Sequence, residues 1–193
     1  LYGLERWGDL FSPRQALALT TLARLVREAA AECARGEPVA GLGQAVATCL
    51  AFCVDRTTMY CNSLCFWHLT GEKVSPVFGR QALGMVWDFL ETPALSDSSG
   101  GFPGAVDWVA TACELTARLG IAAGHVEPAS ATAHPLPDDA APAFVTDPPY
   151  YDAVPYAYLS DFFYVWLRRT LADVHPALFR EAGVPKDAEI VVD

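Results

Sequence analysis

The sequence is short of basic residues. Lys and Arg together number 13 against 23 Asp and Glu, so the formal net charge at pH 7 is −10. A protein that binds DNA or RNA on its own usually presents a basic face to the phosphates. The composition therefore excludes a free-standing nucleic-acid binder of that kind. Any phosphate-binding surface must be local or lie outside this chain.

Long apolar runs are also missing. The longest ones, such as Ala45–Val54, are interrupted by polar residues well before the roughly 20 residues that a membrane-spanning helix needs. Near the start, Glu5, Arg6 and Asp9 stand where the apolar core of a secretory signal would lie. We therefore expect no membrane span and no secretory signal, and a cytoplasmic location.

What is present is ample material for a core. Hydrophobic residues make up 52% of the 193 residues and charged residues 19%, which excludes a disordered chain. The pattern changes near residue 120, so we predict two units. Residues 1–120 form a helix-rich block, and residues 121–193 form a strand–loop–strand–loop–helix segment that is typical of the late half of an α/β unit.

Apolar residues at helical spacing, punctuated by Ser, Pro and Gly, predict most of the secondary structure. The predicted helices cover 14–35, 42–68, 80–91, 105–119 and 157–182. Two short apolar stretches predict strands, Gly124–Thr132 and Ala143–Thr146. Ser12 and Pro13 predict the cap of the first helix, and Gly120 predicts the end of the fourth.

Four cysteines fall on the second predicted helix, where Cys49, Cys53, Cys61 and Cys65 precede His68. Metal sites usually place cysteines closer together, on turns. On one continuous helix Cys49 and Cys65 would be about 24 Å apart by rise alone, so they could not share one ion. We interpret them as small buried residues and expect no metal site. Reduced thiols are expected for all six cysteines.

The segment that follows Phe144 contains the residues that most clearly indicate a chemical function. A short apolar strand is predicted to deliver Asp147, Pro148, Pro149 and Tyr150 at its carboxyl end, where open α/β sheets bind ligands. This set suits an exocyclic amine, whose lone pair is delocalised into a base ring. A carboxylate and a backbone carbonyl that accept its two N–H bonds localise that lone pair. The prolines stiffen the loop, and the aromatic ring stacks on a base that has left the duplex.

D-P-P-Y resembles the catalytic motif of amino-group DNA methyltransferases, mostly those that make N6-methyladenine. The longer string from Thr146 to Arg169 is similar to one particular group of large adenine-specific DNA methylases. These proteins carry a zinc ribbon and an N-terminal domain of unknown function. Two upstream stretches, Tyr2–Gln15 and Phe78–Asp88, resemble the same group. The resemblance thus covers most of the chain in islands.

The resemblance implies a Rossmann-like fold, S-adenosylmethionine as the methyl donor and DNA as the partner, in a setting such as restriction–modification or phage defence. It implies that Asp147 and the Pro148 carbonyl hold the amino group, that Pro149 shapes the loop, and that Tyr150 stacks on the target base. The neighbouring side chains expected to contact the substrate are Tyr151, Asp152 and Tyr156.

The glycine-rich cofactor loop of that family has no clear counterpart. The G-x-G of Gly41-Leu42-Gly43 follows no predicted strand, so we interpret it as a helix start. Ser130 stands where the family often has an acidic residue against the cofactor, which makes it the candidate cofactor contact. We expect the chain to be an internal piece of a methylase. By itself it should bind S-adenosylmethionine weakly or not at all.

Other functions stay open at this point. Guanine N2 in RNA and cytosine N4 in DNA are alternative targets, although Asp at the first motif position favours adenine over cytosine. An alternative of another class is a non-catalytic helical interaction module in which the Pro-Pro loop is only structural. Testing whether the full-length protein methylates duplex DNA or structured RNA would distinguish the alternative methyltransferase targets.

Two further sets of charged residues have alternative interpretations. The pairs Arg14-Gln15 and Arg80-Gln81 stand at predicted helix starts. They are either solvated helix ends or contacts for a phosphate or the cofactor carboxylate. Asp55 and Arg56 lie mid-helix among apolar residues, and we expect an ion pair with another helix there.

Overall fold

The chain folds into α-helices with one small sheet. The structure is a computed structural model that describes residues 3–36, 39–120, 122, 124, 126, 129, 133, 135–150 and 153–187. Within them lie a 3-10 helix (Trp7–Leu10), α1 (Pro13–Arg35), α2 (Leu42–Thr58), β1 (Phe66–His68), β2 (Lys73–Ser75), α3 (Phe102–Arg118) and α4 (Tyr156–Leu171). The mixture of helix and strand is as expected, but these residues contain no parallel sheet of a Rossmann-like fold.

Helix α1 forms as predicted, because its first turn is capped reciprocally. The Ser12 hydroxyl accepts a hydrogen bond from the Gln15 N–H (3.2 Å), and the Gln15 side chain accepts one from the Ser12 N–H (2.8 Å). Pro13 occupies the first helical position, where its missing N–H costs nothing. The helix ends before Gly36.

Helix α2 ends at Thr58, so the predicted continuation to His68 is wrong. The Asn62 side chain redirects the backbone after Thr58. Its Nδ2 donates to the Thr58 carbonyl (2.7 Å), and its Oδ1 accepts from the Leu64 N–H (2.8 Å). The chain then enters a hairpin in which β1 pairs antiparallel with β2. The four cysteines therefore do not share one helix.

The predicted helix over 80–91 is also wrong, since this segment has no regular secondary structure. Its apolar side chains do not share one buried face, for Trp87 is 90% exposed. An amphipathic helix is stable only when its apolar stripe is covered. The end of the segment is instead held by other parts of the chain. The Leu90 N–H donates to the Cys65 carbonyl (2.9 Å).

The predicted strand Ala143–Thr146 is likewise not formed. The segment that runs from there to Tyr150 has no regular structure, and Val145 is 93% exposed. A strand needs a neighbour for its backbone N–H and C=O groups, and no strand lies beside this segment in the described part of the chain. Asp147 therefore does not sit at the end of a strand. Most of the predicted strand Gly124–Thr132 lies outside the described residues.

Helices α3 and α4 occur where predicted, with different ends. Helix α3 begins at Phe102 instead of residue 105, and Gly120 follows it with a φ of 61°. Helix α4 ends at Leu171 instead of residue 182. The Val174 N–H donates to the Leu171 carbonyl (2.9 Å) in a tighter turn, and Pro176 follows. Neither of these nor any other described helix is long and apolar enough to cross a membrane.

Helix α4 packs into the core of the helix-rich block. Trp166 lies in one buried cluster with Leu19 of α1 and Val54 of α2. Phe162 is the centre of a second cluster and is 1% exposed, while Leu171 packs against α2 in a third. The helix that follows the D-P-P-Y motif is thus held firmly by the first half of the chain. The division of the chain at residue 120 stays a prediction.

Candidate functional site

The D-P-P-Y motif is accessible in the structure. Asp147 and Pro148 are exposed, Pro149 is half-buried, and the Tyr150 side chain is 62% exposed. The two prolines restrict the backbone, so the segment has limited conformational freedom even without a strand before it. A carboxylate, a free carbonyl and an aromatic ring are therefore presented together to solvent, where a ligand can reach them.

The chain is packed against the rest of the protein at Val154, a few residues after the motif. Val154 is buried, and its carbonyl accepts a hydrogen bond from the Tyr156 N–H (2.9 Å) at the start of α4. Of the predicted site residues that the structure describes, only Tyr156 lies on a helix. Tyr151, Asp152 and Ser130 lie outside the described residues.

Tyr156 lines a cleft of about 660 Å³ between the start of α4 and the chain after β2. Phe78, Arg80 and Gln81 line its other side. The Arg80-Gln81 pair is not a helix start, because residues 80 and 81 are not helical, and the pair lies beside a predicted substrate contact. The sequence left this pair either as a solvated helix end or as a contact for an anion, and it did not reveal where the pair lies. Its place inside a methylase-like stretch is the signal that could have linked it to the motif.

Aromatic rings hold this region together around Phe162. The centroid of its ring lies 6.4 Å from that of Trp7, 6.2 Å from that of Phe11 and 5.4 Å from that of Phe78. Trp7 and Phe11 belong to the first stretch that resembles the methylases, Phe78 to the second, and Phe162 to the third. Three stretches that are far apart in the sequence thus meet at one buried ring.

The segment after α4 folds back onto that helix. The Asp161 carboxylate accepts hydrogen bonds from the Lys186 ammonium (2.8 Å) and the Val184 N–H (2.7 Å). The Lys186 Nζ also lies 5.0 Å from the centre of the Tyr158 ring. Both charged side chains are mostly buried, so this ion pair is shielded from salt more than an exposed pair would be. It fixes the surroundings of Tyr158, two residues beyond Tyr156.

The buried cysteines are inert. Burial raises the pKa of the Cys53 and Cys65 thiols to about 11 and that of Cys61 to about 12, so all three are protonated at neutral pH. All six cysteines are free, and the sulfurs of Cys49 and Cys113 are 4.0 Å apart. Within the described ranges, no three His, Cys, Asp or Glu side chains are grouped to hold a metal ion.

Asp55 and Arg56 do not make the predicted ion pair with another helix among the described residues. The Arg56 guanidinium instead lies over the Trp108 ring, 4.3 Å from its centre. The Asp55 side chain is buried, and its Oδ1 has no hydrogen-bond partner in the described part of the chain. Burial raises the pKa of this carboxyl to about 8.

The single G-x-G of the sequence, Gly41-Leu42-Gly43, does not form a glycine-rich cofactor loop. Gly41 caps α2 with a φ of 86°, so the G-x-G is a helix start, as predicted. A Cβ on Gly43 would approach the Ala34 backbone nitrogen to 3.0 Å. Gly43 therefore serves the close packing of α2 on α1, and this G-x-G is not a loop that holds a cofactor.

Comparisons with known proteins identify no relative. No protein-family model, no curated protein and no solved structure matches this chain. The resemblance to adenine-specific methylases therefore stays a prediction from the motifs quoted above.

Proposed function

We propose that this chain is the motif-bearing part of an amino-group methyltransferase that acts on adenine N6 in DNA. The Rossmann-like fold, the donor S-adenosylmethionine and the cytoplasmic location are parts of this proposal. The observation that supports it most is the cluster around Phe162. That ring brings together the three stretches whose sequences resemble the methylases.

This convergence matters because the four residues D-P-P-Y alone do not distinguish a catalytic loop from a purely structural turn. A surface turn would not require two distant stretches to pack against the helix that follows it. Here the packing of Phe78 on Phe162 sets the position of Arg80 beside Tyr156. The start of α4 and the cleft thus form one region, and the motif precedes this region by a few residues in the sequence.

The proposed chemistry uses groups that are accessible in the structure. The Asp147 carboxylate and the Pro148 carbonyl accept hydrogen bonds from the target amine, and the Tyr150 ring stacks on the base. As the nitrogen attacks the methyl group of the donor, whose bond to sulfur breaks, it gains positive charge, which the carboxylate stabilises until the nitrogen loses a proton. Direct displacement needs no covalent enzyme intermediate, so the protonated buried cysteines are compatible with it. The candidate donor contact, Ser130, lies outside the described residues.

The exposed segment before the motif favours a second candidate. Phe144 and Val145 are 73% and 93% exposed, and neighbouring apolar side chains of this kind are typical of a surface that binds another protein. A non-catalytic interaction module would use this segment as a contact and need no acid at residue 147. Guanine N2 in RNA and cytosine N4 in DNA stay as alternative targets of the enzyme.

The test is single-turnover methylation by the protein in the longest form that its gene encodes. The substrates are an adenine-containing duplex, a duplex whose only candidate amine is cytosine N4, and a structured RNA. Asp147→Ala should slow methylation of adenine by roughly 100-fold or more, since a charged hydrogen bond of about 3 kcal/mol is lost in the transition state. Tyr150→Ala should weaken base binding as well as the rate, and Tyr150→Phe should restore most of both.

Asp138→Ala is the matched control, because Asp138 is exposed in the loop that precedes the motif. It should methylate like the unchanged protein. Full activity of Asp147→Ala would refute the mechanism. Absence of methylation on every substrate, together with a protein partner whose binding is lost on Val145→Asp, would favour the interaction module. Separately, calorimetry should show little or no binding of S-adenosylmethionine to residues 1–193.

A further inference from the structure

Two cysteines on different helices lie side by side. Cys49 belongs to α2 and Cys113 to α3, and their sulfurs are 4.0 Å apart although the residues are 64 positions apart in the sequence. Both are free thiols. The buried thiols of Cys53, Cys61 and Cys65 instead donate hydrogen bonds to backbone carbonyls. Cys49 and Cys113 are therefore distinguished from these three by contact between their sulfurs.

Neighbouring contacts between α2 and α3 hold this pair in place. One turn after Cys49, the Cys53 thiol donates to the Ala105 carbonyl of α3 (3.7 Å). The Arg56 guanidinium lies 4.3 Å from the centre of the Trp108 ring. The two helices thus contact each other at three places, and the positions of the two sulfurs follow from this packing.

The two thiols differ in their access to solvent. Cys113 is exposed, whereas Cys49 is half-buried. Burial, with a smaller contribution from the adjacent Cys113 thiol, raises the pKa of the Cys49 thiol. A reagent from solution therefore reaches Cys113 first, and Cys49 is placed to react with the product formed there.

We propose that Cys49 and Cys113 are a reversible redox pair, which a small-molecule disulfide oxidises to an internal disulfide that links α2 to α3. The sulfurs of a disulfide are about 2 Å apart, so these two must approach each other by about 2 Å. Rotation of the two side chains about their Cα–Cβ bonds can supply this movement. The pair is separate from the motif, and the proposal stands whether or not the methyltransferase proposal is correct.

The reaction is thiol–disulfide exchange in two steps. In the first step the Cys113 thiolate attacks one sulfur of the reagent, the S–S bond of the reagent breaks, and one thiolate leaves. In the second step the Cys49 thiolate attacks the Cys113 sulfur of this mixed disulfide, and the second thiolate leaves. Solvent carries the two protons of the cysteines to the leaving thiolates. The pair loses two electrons, and the reagent is reduced to two thiols.

The link would secure the part of α3 that is packed least. Ala105, near the start of α3, is the only buried residue of this helix. In its later part Leu115 is 56% exposed. Cys113 lies in this later part, so the disulfide would fix it to α2 and close a long loop of the chain. We expect oxidation to raise the midpoint of thermal unfolding by about 4–8 °C.

The test is incubation of the folded protein with oxidised glutathione, followed by acid quenching and mass spectrometry. The intact chain should lose two hydrogen atoms, and dithiothreitol should restore them. Trypsin should yield Gly36–Arg56 joined to Gln81–Arg118, which contains Cys113 as its single cysteine. Chymotrypsin cuts after Phe52 and so separates Cys49 from Cys53. The link should remain on the fragment that contains Cys49.

Two variants separate the steps. In Cys49→Ala the reaction should stop after the first step, so glutathione should accumulate on Cys113 at least tenfold more than in the unchanged protein. In Cys113→Ala the half-buried Cys49 should stay reduced at the same glutathione concentration. Cys33→Ala is the control, because Cys33 is a half-buried cysteine on α1. It should form the Cys49–Cys113 link like the unchanged protein.

Three results would overturn the proposal. One is glutathione that stays on Cys113 in the unchanged protein without any internal link. Another is a link from Cys113 to a different cysteine or to a second chain. The third is an internal link that lowers the midpoint of thermal unfolding, since the folded state would then oppose it. Methylation enters none of these measurements, so failure here is distinguishable from failure of the proposed function.

Discussion

Apolar side chains are buried in the packed helices and exposed in the segment before the motif. Leu19 and Val54 are fully buried and Phe162 is 1% exposed. In the segment before the motif, Phe144 is 73% exposed and Val145 is 93% exposed. Helices α1, α2 and α4 cover one another, whereas the described residues provide no strand beside 143–146.

The stretch from Thr146 to Arg169 therefore has two parts. One stabilises the fold, and the other carries the residues of the proposed function. From Tyr156 onward this stretch packs into the core, whereas Asp147 and Tyr150 contribute little to the core packing. Substitutions at 147 and 150 should therefore report on chemistry and binding with the fold intact. Substitutions at the buried positions of α4 should act through stability first.

The largest expected effect is that of Phe162→Ala. Removing a fully buried ring that contacts Trp7, Phe11 and Phe78 should lower the free energy of unfolding by about 3–5 kcal/mol. Denaturant unfolding measures this loss. Phe144→Ala is the matched variant and should change stability by less than about 0.5 kcal/mol. Equal losses in the two variants would remove the distinction between the regions.

A second prediction uses two aspartates in the two regions. Asp55 is buried, and burial raises the pKa of its carboxyl from 3.8 to about 8, whereas Asp147 is exposed. Between these pH values the unfolded state releases the proton that the folded state keeps. Stability should therefore be fully present below about pH 4 and fall as pH rises towards 8.

Asp55→Asn should remove this dependence. The variant should be more stable than the unchanged protein at pH 8, by an amount on the order of a few kcal/mol, since each pKa unit is worth about 1.4 kcal/mol. The gain should shrink towards pH 5. Thermal unfolding at both pH values is the measurement, with Asp147→Asn as the control. A gain that is identical at pH 5 and pH 8 would contradict the burial argument.

The smallest expected effect is that of Val145→Ser. Because this side chain is almost fully exposed, its loss should alter the free energy of unfolding by less than about 0.5 kcal/mol. Val54→Ser is the comparison within the core and should be strongly destabilising, since it places a hydroxyl in an apolar cluster. Chemical denaturation of both variants tests the pair. A large loss from Val145→Ser would show that this segment has a packing partner.

Local signals predicted the elements that depend on local chemistry. The capping residues Ser12 and Pro13 predicted the start of α1, and Gly120 predicted the end of α3. The helix over 80–91 was predicted from an apolar stripe, but Trp87 is 90% exposed, so this stripe is not covered along its length. The strand before Asp147 was predicted from apolar residues alone. Periodicity describes one face of an element and cannot reveal whether a second surface is present to cover it.

The sequence likewise predicted one part of the candidate site and missed another. The sequence singled out Asp147–Tyr150 as a group with a definite chemistry, because that chemistry depends on residue types at adjacent positions. It did not reveal that Arg80 lies beside Tyr156, or that the sulfurs of Cys49 and Cys113 are 4.0 Å apart. Those pairs are separated by more than 60 residues, so no local pattern links them.

The sequence by itself determined the acidic, core-forming composition, the caps and ends of α1, and the order Asp-Pro-Pro-Tyr with a helix after it. These properties depend on neighbours within a few residues. Only the tertiary structure decided that three distant stretches meet at Phe162, that α2 ends at Thr58, and that Asp55 is buried without a partner for its Oδ1 among the described residues. The physical reason is that burial and pairing depend on which surfaces meet, and that is a property of the whole packed chain.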